Sequence, residues 1–142
     1  MATNEKMYEE YEKEFSIEGT LKEISSILYT TDGRVRTDLY IESDENEIES
    51  FLEKIASLQE PLKFDPTFCS SFSQGRVRKN LIEVAFFGNV HSDIIGKKVL
   101  YKIRIENPYR NSKNPKNVLI QQTLIASVGD KKRLYFSEFW KK

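Results

Sequence analysis

The chain has one cysteine and one histidine. Cys69 has no second thiol to pair with, so no internal disulfide holds the fold. His91 stands alone, which excludes metal centres built on several His or Cys ligands. A Cys69–His91 nucleophile–base pair is conceivable, but no signature surrounds either residue, and a lone cysteine among apolar neighbours is usually just packed. The six glycines are scattered singly, so no glycine-rich loop cradles a phosphate. No apolar run approaches the length of a membrane span. The first residues, MATNEKMYEEYEKEF, are acidic and lack the apolar core of an export signal. These absences lead us to expect a soluble, cytoplasmic protein without metal or cofactor, and not an enzyme.

What the chain does contain is charge, unevenly spread. The net charge is zero, yet residues 1–14 carry −3, 15–41 carry −1, 42–60 carry −6 and 61–142 carry +10. A segment of that sign and length attracts polyanions whatever the total. The alternative is a solvated surface of mixed charge. The 142 residues suit one domain, and 39% hydrophobic content suffices for one core.

Strand periodicity begins at Phe15. Phe15, Ile17, Gly19 and Leu21 fall on one side, and Ser16, Glu18, Thr20 and Lys22 on the other. TDGR, 31–34, is a hairpin turn, because Asp-Gly tolerates positive φ. RVRTDLYIES then alternates again, with Arg34, Arg36, Asp38 and Tyr40 facing away from Val35, Leu39 and Ile41. Residues 43–59 switch to helical spacing, with Ile48, Phe51, Leu52, Ile55 and Leu58 on one stripe and Pro61 beyond the end. Residues 61–79 are read as a loop. LIEVAFFG is a strand in which Phe86 points into the core and Phe87 out of it. NVHSDI is read as a single helical turn, KKVLYKIRIE as a strand, 107–117 as a polar hairpin tip and VLIQQTLIASV as the last core strand. The tail, 129–142, is basic and aromatic and adds a short strand or helix.

This gives a mainly β domain over 15–128, with five strands and one helical insert, 43–59, between the second and third. An arm precedes it at 1–14. Such strands form a closed barrel or a sandwich. The five-stranded barrel of this size is the OB-fold.

Single-strand binding needs basic groups for phosphates and aromatic faces for bases on one surface. The candidates are Arg34, Arg36 and Tyr40 on the second strand, and Arg76, Arg78 and Lys79, close to Phe72. Others are Lys102 and Arg104 on the fourth strand, and Tyr109, Arg110, Lys113 and Lys116 on the hairpin tip.

The stretch LIEVAFFGNV…IGKKVLYKIRIENPYRNSKNPKNVLIQQTLIASVG resembles the bacterial single-stranded DNA-binding proteins. In that family a strand ends in an aromatic residue followed by glycine, as at Phe87-Gly88. A short helical segment, a glycine-led strand, a long hairpin and a final strand follow. FSIEGTLKEI is similar to the family's first strand. The resemblance implies an OB barrel that coats single strands without sequence preference. It also implies that Phe87 stacks on a base and that Tyr109 does so from the hairpin. The family's tryptophan near the start of the third strand falls at Leu81. Its acidic C-terminal extension, which recruits replication proteins, is replaced by the basic EFWKK, so that recruitment is not expected. The acidic insert and the N-terminal arm also depart from the family pattern, which suggests a divergent member of the kind carried by conjugative plasmids or phages. The expected partner is single-stranded DNA, with double-stranded DNA and RNA left open. Self-association is expected through Met7, Tyr8 and Tyr11 of the arm. The rival expectation is a protein-interaction module, an adaptor or inhibitor encoded by a mobile element.

Overall fold

The structure is a computed structural model and describes residues 12–29, 35–57, 69–70, 72–73, 76–77, 80–106 and 118–141. The arm, the TDGR turn and the hairpin tip 107–117 lie outside the described residues. The strands are β1 (Glu12–Tyr29), β2 (Val35–Glu42), β3 (Cys69–Ser70), β4 (Phe72–Ser73), β5 (Arg76–Val77), β6 (Leu81–Phe86), β7 (Lys98–Glu106), β8 (Val118–Val128) and β9 (Lys131–Lys141). Helix α1 is Glu45–Ala56, and a 3-10 turn covers Ser92–Ile94.

Seven strands form one antiparallel sheet in the order β3-β6-β2-β1-β7-β8-β9, and β4 and β5 form a separate pair. The five expected strands are β1, β2, β6, β7 and β8, and they are contiguous. In β7 the expected alternation is complete: Val99, Tyr101, Ile103 and Ile105 are buried, and the residues between them are not. β2 and β6 differ, because both of their faces are covered. Asp38, Tyr40 and Ala85 are buried as well as Leu39, Ile41, Val84 and Phe86.

Two expectations are corrected here. The sheet has more than five strands, and its ladder does not close. The reason lies in the tail, which forms the long strand β9 and pairs with β8 from Val118–Lys141 to Val128–Lys131. It thereby takes the edge of β8 that a closed barrel would offer to β6. On the other side β3, inside the stretch read as a loop, takes the free edge of β6 through Cys69–Val84 and Ser70–Glu83.

The sheet still curls onto itself. The Gln122 side chain on β8 reaches the end of β6, donating to Ala85 O and accepting from Phe87 N, each at 3.0 Å. One core therefore holds residues from β1, β2, β6, β7, β8 and α1. At Gly19 the backbone of β1 packs tightly on the end of β2: a Cβ there would run into the Glu42 carbonyl oxygen and Ile41 Cγ2. Glycine at such a corner lets two backbones approach.

Helix α1 forms where the periodicity changes. Asp44 caps it, accepting from Asn46 N at 2.9 Å, and Glu45 and Glu47 in the first turn favour the helix dipole. Its stripe of Ile48, Phe51 and Ile55 is buried, and the Phe51 ring meets Tyr101 edge-on at 6.1 Å. Glu45, Glu47, Glu49 and Glu53 stay exposed.

Candidate nucleic-acid interface

The centre of the candidate interface is the Phe87-Gly88 junction at the end of β6. Three side chains from three strands hold its backbone. Gln122 on β8 accepts from Phe87 N, Ser137 on β9 donates to Phe87 O, and Thr37 on β2 donates to Gly88 O at 2.6 Å. Thr37, Gln122 and Ser137 are all buried. Buried polar groups are stable only when paired, and here they are paired to one short segment. The junction is thus fixed although the ladder has ended. The Phe87 ring is half-buried and packs against the core, so it is less open than a ring on a free outer face. Gly88 lies against the Phe86 ring: a Cβ would stand 2.8 Å from Phe86 Cε1.

Arg36 stands across from Phe87, one step beyond the last β2–β6 rung, Thr37–Phe86. Its side chain is 39% exposed, and its Nε donates to Asp38 Oδ1 at 2.8 Å. Tyr40, on the same strand, is only 4% exposed, so its ring offers no open face. The expectation of a stacking platform at Tyr40 is corrected: β2 is covered on both sides. Tyr40 Oη instead donates to Glu83 Oε1 at 3.4 Å. Burial first, and the nearby Asp38 charge second, raise the Glu83 pKa above the usual 4.5; the Tyr40 hydroxyl and Arg36 pull the other way. Two carboxylates beside the middle of β6 repel phosphate, and Arg36, on the Phe87-Gly88 side of them, offsets part of that charge.

Lys102 and Arg104 lie on the outer face of β7, both partly exposed. Arg104 reaches Glu106 at 3.2 Å and donates to Gln121 Oε1 at 3.3 Å. With Glu14, Gln121, Thr123, Ile125, Leu134 and Phe136 they line a shallow groove across β1, β7, β8 and β9, in which Glu14 sets a carboxylate beside the two cations. Arg76 sits in β5, paired with Ser73. Arg34, Arg78, Lys79, Tyr109, Arg110, Lys113 and Lys116 lie outside the described residues, as do Met7, Tyr8 and Tyr11. The structure therefore brings Lys102 and Arg104 into one groove and leaves Arg36 one step beyond the last β2–β6 rung, ion-paired to Asp38.

Sequence reasoning missed the three anchors Thr37, Gln122 and Ser137, and the 58% exposed Phe136. Gln122 was discoverable: it shares the inward parity of Ile120, Leu124 and Ala126, and a polar residue in such a row needs a partner. Among the described residues no group of three or more His, Cys, Asp or Glu is placed to hold a metal ion. No helix among them is long and apolar enough to cross a membrane. Comparisons with family models, curated proteins and solved structures gave no match.

Proposed function

We propose that the chain binds single-stranded DNA without sequence preference, on a curled, open β-sheet whose central five strands follow the OB order, in the processing or transfer of plasmid or phage DNA in the cytoplasm. The observation that carries this reading is the anchored Phe87-Gly88 junction facing Arg36. An aromatic ring whose backbone is fixed from three strands could meet a base at little ordering cost, and the Arg36 guanidinium, now paired with Asp38, could exchange that carboxylate for a phosphate. The strand order supports the reading. OB-folds are partly open five-stranded barrels that bind oligonucleotides on strands 2 and 3 and on the loops 1–2 and 4–5. In this chain those strands are β2 and β6, and those loops hold Arg34 and the Tyr109–Lys116 cluster. Cations release counterions from the phosphates, and stacking is indifferent to base identity. On this reading the nucleic-acid strand avoids the acidic face of α1, whose charges repel phosphates.

A fluorescently labelled poly-dT strand, titrated at two salt concentrations, tests this. The expected result is micromolar or tighter binding that weakens steeply with salt. No binding at low salt would overturn the reading and leave a protein-interaction module in front. The exposed Leu134 and Phe136 favour that second reading.

A further inference from the structure

Strand β9 ends the sheet, and among the described residues no strand pairs with its outer edge. It runs in unbroken register with β8, without a bulge. Long regular edges template further strands, and native proteins protect them with bulges, prolines or charged side chains. β9 carries such charges at Lys132, Arg133 and Glu138, on either side of its apolar middle. β9 has no such device between Leu134 and Ser137. Its outward side chains are Lys132, Leu134, Phe136 and Glu138, and Leu134 and Phe136 are 64% and 58% exposed. Its inward side chains are engaged within the chain. Arg133 Nη1 donates to Asp93 Oδ2 at 2.6 Å, Ser137 donates to Phe87 O, and Tyr135 packs against the core.

We propose that a second copy of this chain covers that edge, β9 against β9, antiparallel about a two-fold axis at Tyr135. The axis stands normal to the sheet, so outer faces stay together. Directly opposed residues must then share parity, and an axis between two residues is forbidden. With the axis at Tyr135, Leu134 opposes the partner's Phe136 and Lys132 opposes the partner's Glu138, each contact occurring twice. With the axis at Leu134, Lys132 meets Phe136 and Asp130 meets Glu138. With the axis at Phe136, Leu134 meets Glu138. The other two registers also oppose one apolar pair on the axis, Leu134 with its copy or Phe136 with its copy, but only the first sets both apolar residues against apolar ones and opposite charges against each other. The interface is isologous and closes on itself. It makes one sheet continuous through both copies and does not depend on the nucleic-acid reading.

Sedimentation equilibrium of the full chain without nucleic acid tests this, with Lys132→Glu, Glu138→Lys and the double exchange. Both positions are exposed, and because Glu138 Oε2 accepts from Gln121 Nε2 at 2.6 Å within the chain, the melting temperature of each variant is measured alongside to show that the fold is kept. The wild type forms a concentration-dependent dimer. Each single reversal sets like charges opposite and raises the dissociation constant about tenfold. The double exchange restores it to within about threefold. A monomer at every concentration overturns the proposal and leaves the edge to a strand of another protein. Association that ignores either reversal also overturns it and moves the contact elsewhere, for instance to the N-terminal arm. So does a double exchange that fails to restore the dimer.

Discussion

The Gln122 side-chain amide brackets the Phe86 rung of β6, bonding Ala85 O on one side and Phe87 N on the other. An amide side chain carries a donor and an acceptor side by side, as a peptide group does. It thus replaces a strand-to-strand rung where β9 has taken the β8 edge. Its Nε2 also donates to Tyr101 Oη at 2.6 Å. Gln122→Leu keeps the volume and removes the partner of the buried Ala85 C=O and of the part-buried Phe87 N–H. Each orphan costs about 1–3 kcal/mol, so a loss of about 3 kcal/mol is expected. Urea denaturation reads it, and a loss below about 1 kcal/mol would show that the seam is held by other contacts.

Phe87→Leu separates packing from stacking. Leucine refills most of the half-buried site but offers no π-face. If Phe87 meets a base, poly-dT binding weakens by about 1–3 kcal/mol while the melting temperature moves little. Unchanged affinity would refute the stacking role and spare the fold.

Glu83 has a raised pKa, so its stability contribution runs opposite to that of an ion-paired carboxylate. The folded state binds its proton more tightly than the unfolded state. Stability from this site is therefore fully present below about pH 4.5 and is lost as pH rises through the folded-state value. Glu83→Gln should melt higher than the wild type at pH 7, and the gap should close at pH 4. A gap of equal size at both values would place the cause outside this ionisation.

Gly19→Ala tests the corner of β1. The obstacle is the Glu42 carbonyl, which is backbone and cannot swing aside. Overpacking costs about 1–3 kcal/mol, and the upper end is expected here. Gly96 has φ +88° with open space around the missing Cβ, so Gly96→Ala meets strain of a purely conformational kind. Denaturant midpoints of the two variants compare the mechanisms, and a neutral Gly19→Ala would mean that β1 and β2 can separate there.

Much of the fold was legible because its signals are local. The alternation of KKVLYKIRIE and the helical spacing of Ile48, Phe51 and Ile55 depend on near neighbours only. The turn at Ser92–Ile94 and the inward Phe86 followed from the same rules. Closure was not legible, because it depends on which strand claims the second edge of β8. KKRLYFSEFWKK alternates too, but nothing local states its length or its pairing. Tyr40 looked solvent-facing because alternation assumes one covered face, whereas β2 is covered on both. At the candidate site, Phe87-Gly88 was visible as a motif. Its anchors were not, since Thr37, Gln122 and Ser137 meet it only through the curl of the sheet.

The ladders also imply an order of assembly. β8 and β9 are joined by a two-residue turn at Gly129-Asp130, and all their rungs link nearby residues. The β1–β7 ladder pairs Glu12 with Glu106, 94 positions apart (106 − 12), and must wait for a long loop to close. The β8–β9 hairpin is therefore an early event, and the docking of β6 onto Gln122 a late one. Gln122→Leu should accelerate unfolding and leave the refolding rate almost unchanged, the signature of a contact absent from the transition state. Stopped-flow chevrons read both limbs. A slowed refolding limb would put the seam in the nucleus instead, making the curl of the sheet the first event in folding.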